Sequence, residues 1–264
     1  MPVEPREFAQ VACVLEQVLR QAGGASLRHP GRHVRRLKGD GSEVTDADSD
    51  AENVIADGLR AHFPQAAVVG EEGTRFEGSH GCWYIDPIDG TSAYADGLAY
   101  WGPTVTWMME GRYQIGAFYL PELDRFYFAA VGFGAWCNGT RMAMRDSAMP
   151  SRHDVAYFPS RSHRVAIQWP GKVRALGSSA AHLALVAAGS GVVAGIAAWS
   201  HWDVGAGVLM IRESGGIVTR IDGSPFNPED EEGLPFLAGA STACRTLAAA
   251  LTQVRAAVGR RHEP

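Results

Sequence analysis

A chain of 264 residues can bury a large core, as one large domain or two smaller ones. Its balance, 46% hydrophobic and 20% charged, is that of a soluble globular protein, and a net charge of −5 argues against a nucleic-acid polymer or an anionic membrane as partner. A small anionic substrate stays open, because bound metals can invert a local field.

The four cysteines, Cys13, Cys82, Cys137 and Cys244, are scattered without a C-x-x-C pair, which fits a reduced, cytoplasmic setting. Residues 1–8 are charged, carry Pro2 and Pro5, and lack the apolar run of a signal peptide. Phe8, Val11, Leu15, Val18 and Leu19 repeat at helical spacing, and Gly23-Gly24 is expected to stop that helix. Residues 25–43, first basic and then Gly-rich and polar, read as a loop. Ser49-x-x-Glu52 reads as a capping box that starts a helix, with Ala51, Val54, Ile55 and Leu59 on its apolar face. Asp46-x-Asp48-x-Asp50 has the look of a calcium loop. Its sixth position is Ala51 rather than Gly and its twelfth is Asp57 rather than Glu, which excludes that reading.

Residues 67–69 predict a short strand ending on Gly70-Glu71-Glu72. Residues 82–85 predict a buried strand that runs into Asp86-Pro87-Ile88-Asp89-Gly90-Thr91. Pro87 bars helix at Asp86, Gly90 permits a tight turn, and Thr91 can cap a following helix. Residues 103–109 and 113–120 are β-rich, with Glu110-Gly111-Arg112 as a hairpin between them. Residues 125–130 and 135–142, the latter turning at Asn138-Gly139, extend an antiparallel meander. The polar residues 143–153 mark a domain boundary, giving 1–147 and 148–264. Beyond it, strands at 155–158, 172–176, 191–199, 217–221 and 234–238 alternate with helices at 179–188, 203–214 and 242–258. That alternation implies a largely parallel sheet covered by helices. Residues 180–199 are apolar enough to raise a membrane helix, but Gly189-Ser190-Gly191, Gly195 and His182 favour a helix, a turn and a buried strand.

Four acidic groups fall at strand ends or helix starts: Asp46/Asp48, Glu71/Glu72, Asp86/Asp89 and Asp203. Clustered carboxylates repel, so a cation is needed to keep them ionised. Carboxylates are hard oxygen ligands that suit Mg²⁺, and N–H groups at a helix start suit a phosphate. Two metals ~3.5–4 Å apart would activate water and stabilise a leaving oxygen. Taken singly, each acid has a structural reading as a cap or a solvated turn residue; the set points to metal-assisted phosphate chemistry.

Six motifs carry a resemblance. They are the approach from Lys38 to Asp48, Gly70-Glu71-Glu72, Asp86-Pro87-Ile88-Asp89-Gly90-Thr91, Trp136-Cys137-Asn138-Gly139, Gly177-Ser178-Ser179-Ala180 and Trp202-Asp203-Val204-Gly205-Ala206-Gly207. In order and spacing the chain resembles the inositol monophosphatase superfamily of Mg²⁺-dependent, lithium-sensitive phosphatases. The resemblance implies a mixed α+β and α/β fold with the layered αβαβα sugar-phosphatase architecture, an antiparallel first sheet and a largely parallel second one. It implies two or three Mg²⁺ ions: Glu71, Asp86 and the Ile88 carbonyl at the first, Asp86, Asp89 and Asp203 at the second, and Glu71 through water at a weaker third. Asp48 and Thr91 would orient and deprotonate the attacking water, with Glu71 assisting. The N–H groups of Gly90 and Thr91 would grip the phosphate, and Lys38 would approach it. A homodimer is usual in the family, and the aromatic meander of residues 113–133 is a candidate interface.

Substrate contacts are expected from Ser178, Ser179, Ile196, Arg161 and His163. In true inositol monophosphatases the residue seven before the last metal Asp is a Glu that binds inositol hydroxyls; here it is Ile196, which accepts no hydrogen bond from a polyol. Residues 38–45 and Ser160-Arg161-Ser162-His163 resemble the bisphosphate nucleotidase branch, where Arg161 and His163 would lie near a nucleotide. Tyr100-Trp101-Gly102-Pro103 and Tyr119-Leu120-Pro121 resemble the histidinol-phosphate phosphatase branch. The expectation is a phosphomonoesterase acting on a small phosphorylated polyol or sugar, with 3′(2′),5′-bisphosphate nucleotidase and histidinol-phosphate phosphatase as alternatives. A non-catalytic metal-dependent regulator is the competing class.

Overall fold

The computed structural model describes residues 5–39, 41–145, 149–164, 167–230 and 232–259; the side chains of 5–7, 163–164 and 252–259 lie outside that description. The expected boundary at 147/148 also falls outside the described residues. In chain order the elements begin with α1 (Pro5–Leu27), β1 (Arg36–Leu37), β2 (Glu43–Val44), α2 (Asp46–His62), β3 (Ala67–Gly70), β4 (Arg75–Phe76), β5 (Cys82–Asp89) and α3 (Thr91–Ala95). The meander is β6 (Gly102–Met109), β7 (Arg112–Leu120), β8 (Arg125–Ala130), β9 (Gly134–Cys137) and β10 (Thr140–Arg141). Then come β11 (Val155–Tyr157), β12 (Lys172–Arg174), α4 (Ser179–Ala187), β13 (Val193–Ile196), α5 (His201–Glu213), β14 (Ile217–Arg220), β15 (Phe236–Gly239) and α6 (Ser241–Gly259).

Gly23-Gly24 does not end α1. Leu15, Val18, Leu19 and Ala22 are all buried, and burial on this scale outweighs about 1 kcal/mol of helix propensity lost per glycine. Gly23 is needed for contact rather than for a turn: a Cβ there would lie 2.6 Å from Pro121 Cγ. The helix therefore continues to Leu27.

The start of α2 also differs from expectation. Its cap is Thr45, three residues before Asp48, and not Ser49. The Thr45 N–H and hydroxyl donate to Asp48 Oδ2 at 2.8 and 2.6 Å. Glu52 is then free for a distant task. Its carboxylate accepts the Glu72 and Thr74 N–H groups, both at 2.8 Å, and so holds the turn after β3. Residues 25–43 are more ordered than a loop, because β1 and β2 pair in them.

The first sheet runs β10-β9-β8-β7-β6-β5-β3-β4, antiparallel except for the parallel β3–β5 pair. Its hairpins turn where expected, with positive φ at Glu110-Gly111 and Asn138-Gly139. The second sheet runs β12-β11-β13-β15-β14. Here β12, β11, β13 and β14 share one direction; β15 lies reversed between β13 and β14. The return from β14, residues 221–235, forms no helix among the described residues, and parallel strands are usually joined by a helical crossover.

Five layers result. Helices α1 and α2 cover the outer face of the first sheet around Leu19, Ile55 and Trp83; α4 and α5 fill the space between the sheets; α6 covers the outer face of the second sheet around Leu237 and Leu247. The aromatics of the meander, Phe118, Phe126, Tyr127 and Phe128 among them, are buried in these cores, while Leu123 and Val131 of the same segment are exposed. Residues 180–199 form α4, a turn and β13, and among the described residues no helix is long and apolar enough to cross a membrane.

Candidate active site

On a regular strand, residues three apart face opposite sides of the sheet. Asp86 and Asp89 escape that rule because the β5–β6 register shifts between them, at Pro87-Ile88. Proline has no N–H for the ladder, and a bulge there re-aims the following side chain. Both carboxylates are buried as a result. Gly90 follows with φ +92 and serves as the N-cap of α3, so Thr91 is the first helical residue and not the cap. A Cβ at Gly90 would come within 2.9 Å of Ser178 Cβ, which leaves glycine as the residue that fits.

Four acids meet at this point. Carboxylate oxygens of Glu71, Asp86 and Asp203 lie within 4.8 Å of one another. Asp89 feels the same neighbours: it and Glu71 both act on Asp86 and Asp203. Each aspartate is pinned through one oxygen. Asp86 Oδ1 accepts the Ile88 N–H at 2.8 Å, and Asp203 Oδ2 accepts the Ser200 N–H at 2.7 Å. Asp89 Oδ2 accepts the Ala180 N–H at 2.8 Å and the Ser178 hydroxyl. Pinning one oxygen orients the other toward the cluster, as an outer contact does for a metal ligand.

Asp48 and Asp203 are presented by one device. Each is the third residue of its helix, reaching back to the N-cap residue, Thr45 or Ser200. Asp48 keeps Oδ1 for Thr91, whose hydroxyl stands 3.2 Å from it and 3.2 Å from the Ile88 carbonyl. One hydroxyl proton serves one of these acceptors at a time.

Electrostatics set the state of the cluster. Burial, then Glu71, Asp89 and Asp203, raise the Asp86 carboxyl well above the usual range. Burial, then Asp89 and Glu71, do the same to Asp203. Burial pushes Asp89 up to about 6, although Ser178 and Ala180 work against it. Asp48 is raised by burial, with its Thr45 hydrogen bonds opposing. A set of buried, mutually repelling oxygen donors fits a hard divalent cation, which would remove the repulsion. Glu71, Asp86 and Asp203 could hold such an ion, with Asp89 beside them.

The other candidates are placed as follows. Lys38 Nζ bridges Glu71 and Glu72 at 2.8 and 2.7 Å. Burial opposes its charge, yet these two hydrogen bonds raise its pKa. Ser178, expected at the substrate, gives its hydroxyl to Asp89, and Ser179 opens α4 beside it. Ile196 is 2% exposed, in the core between the sheets, because the apolar end of β13 faces α4 and α5. Arg161 is exposed, and the His163 side chain lies outside the described residues. Trp101 is a core residue, edge-on to Tyr94 at 4.5 Å.

Sequence reasoning missed the roles of Thr45, Glu52, Ser200 and His182. Two of these carry a readable signal, since Thr45-x-x-Asp48 and Ser200-x-x-Asp203 are both capping-box patterns. His182 had none. It is buried, its Nε2 accepts the Leu176 N–H at 2.9 Å, and burial lowers its pKa to about 4. It thereby ties α4 to the turn that carries Ser178.

A model of the inositol monophosphatase family matches residues 7–256. The Aquifex aeolicus fructose-1,6-bisphosphatase/inositol-1-monophosphatase is 34% identical over 227 residues, covering 79% of this chain and 85% of that protein. Nus factor SuhB of Escherichia coli is 34% identical over 203 residues, covering 70% of this chain and 74% of that protein. Among solved structures, the Thermotoga maritima IMPase superposes with a TM-score of 0.82 at 27% identity, over 93% of this chain and 98% of that one.

Proposed function

The chain belongs to the inositol monophosphatase family, and from that premise we propose that it is a Mg²⁺-dependent phosphomonoesterase acting on a small phosphorylated polyol or sugar. The observation that carries this reading is the convergence of Glu71, Asp86 and Asp203 within 4.8 Å, with Asp89 beside them. A bound Mg²⁺ supplies Lewis-acid activation of water and neutralises phosphate charge. The chain's own residues do the rest. Asp86, pinned by the Ile88 N–H, and Asp203, pinned by Ser200, present oxygens from opposite halves of the molecule. Thr91 takes a proton from the attacking water and passes its own to Asp48, 3.2 Å away. Asp48 stays in place through its two bonds from Thr45. The N–H groups of Gly90 and Thr91, at the start of α3, grip the phosphate oxygens. Lys38, paired here with Glu71 and Glu72, is the cationic side chain placed to approach the phosphate. Lithium competes for a cation position, and the chain works as a homodimer.

The test is phosphate release with and without Mg²⁺ from inositol 1-phosphate, fructose 1,6-bisphosphate, adenosine 3′,5′-bisphosphate and histidinol phosphate. Turnover that stops on chelation supports the reading, and no hydrolysis of any ester sinks it. The identity to Nus factor SuhB favours a second reading, a Nus-factor-like role that needs no turnover. In that case Asp86→Asn would leave the cellular role intact. The basic residues of 32–38 give such a role no free cationic patch: Arg32 pairs with Glu122, Arg35 with Glu43 and Asp96, Arg36 with Asp46, and Lys38 with Glu71 and Glu72.

A further inference from the structure

The four strands of the second sheet that share a direction end on one edge, and a cavity of about 310 Å³ lies there. Phe158, just past β11, Ile196 at the end of β13, Phe236 at the start of β15, Ile167 and Leu251 of α6 form its walls. In sheets of this kind the carboxyl ends of strands are where ligands bind. The volume is at the lower end of the range for small-molecule sites.

Two polar side chains interrupt this apolar lining: Arg161 and Ser162, from the short 3₁₀ turn Ser160–Arg164. Arg161 is exposed and, among the described residues, forms no ion pair and no hydrogen bond. That sets it apart from Arg32, Arg35, Arg36, Arg145 and Arg220, which all pair with carboxylates. None of Asp48, Glu71, Asp86, Asp89 and Asp203 lines the cavity.

We propose that this cavity is a second ligand site, separate from the acid cluster, for a small amphipathic anion. Its apolar body fills the space between Phe158, Leu237 and Leu251, and a single carboxylate, sulfonate or phosphate head pairs with the Arg161 guanidinium, with the Ser162 hydroxyl as a further donor. Burial of the body supplies affinity, and the guanidinium, a planar fork of donors, selects the charge. A polyol phosphate is a poor fit, because its hydroxyls would be buried without partners.

The test is a titration of the Mg²⁺-loaded protein, under saturating inorganic phosphate, with anilinonaphthalenesulfonate, an aryl sulfonate whose fluorescence rises in apolar surroundings. One saturable site per chain is expected. Arg161→Glu is expected to weaken it about tenfold or more, from the loss of a charge-assisted contact. Leu251→Trp, which fills the space, is expected to remove binding; Leu251→Met, which keeps the volume, is expected to retain it. Thermal unfolding of each variant separates a filled cavity from a lost fold. The proposal is overturned if no saturable binding is seen, or if Arg161→Glu binds as the parent does. It is also overturned if inorganic phosphate displaces the probe, which would place the probe at the acid cluster. Binding that appears only after removal of residues 260–264 would assign the cavity to the chain's own end, with the same consequence.

Discussion

Glu71, Asp86 and Asp89 reach the acid cluster at the ends of two paired strands, β3 and β5, whereas Asp203 reaches it from the first turn of α5, packed between the sheets. The strand-borne acids are held by ladder hydrogen bonds and a bulge among residues close in sequence. The helix-borne acid depends on the docking of a whole second sheet. The second half also clamps the first, through Ser178 and Ala180 on Asp89. One side of the site is thus local and stiff, and the other is set by long-range packing. Changes on the two sides are expected to fail in different ways.

The largest effect should come from removing a charge on either side. Asp86→Asn and Asp203→Asn each forfeit several kcal/mol of transition-state charge stabilisation, about a thousandfold in kcat/KM. Without metal the same changes relieve repulsion between buried carboxylates. The chelated variants should therefore melt higher than the chelated parent, by about 2–4 °C per kcal/mol relieved. Equal melting temperatures under chelator would show that the carboxylates do not repel in the fold.

Thr91→Val tests the local side without touching a metal ligand. Loss of the proton path to Asp48 should cost about a hundredfold in kcat, with KM little changed, while Thr91→Ser keeps the hydroxyl and the rate. A rate unmoved by Val would remove Thr91 from the reaction. Ser178→Ala tests the clamp between the halves. Loss of one outer contact to Asp89 should weaken Mg²⁺ by about tenfold, read by calorimetric titration, and extra Mg²⁺ should restore activity.

An effect on stability and not on turnover belongs to the second half alone. His182 has a folded pKa of about 4, below its ordinary 6.5. Between those values the unfolded chain takes up a proton that the folded chain does not, so the histidine costs stability as pH falls from 6.5 through 4. The full cost is about 3 kcal/mol. His182→Gln, which can still accept the Leu176 N–H, should unfold with a shallower pH dependence than the parent across that window. Parallel stability curves would show that His182 is not buried as a neutral base.

Much of this was legible in the residues. The positions of most strands and helices and the acid set follow from periodicity, turn chemistry and the motifs from Lys38 to Gly207, and the resemblance carried by those motifs implies the αβαβα layering; β1, β2 and β4 were not anticipated. The failures share a cause. Gly23-Gly24 carries a stop signal that holds for an isolated helix, but Gly23 lies against Pro121 and Tyr119. Ser49-x-x-Glu52 and Thr45-x-x-Asp48 are equally good capping boxes on paper, and the need of the Glu72 and Thr74 N–H groups for Glu52 decides between them. Ile196 was placed by counting back from Asp203, and the burial of the β13 end put it in the core.

By themselves, the residues determined the chemistry: hard oxygen donors at strand ends and helix starts, a bend at Pro87, and a glycine where the backbone must turn. Those are local properties, carried by donor type and allowed φ. Tertiary structure alone decided which oxygen of each carboxylate is tied down, that Ser178 serves Asp89 from 89 residues away, and that Ile196 and Arg161 share a cavity. Burial and hydrogen-bond satisfaction are completed between residues distant in the chain, and no short stretch of sequence contains both partners.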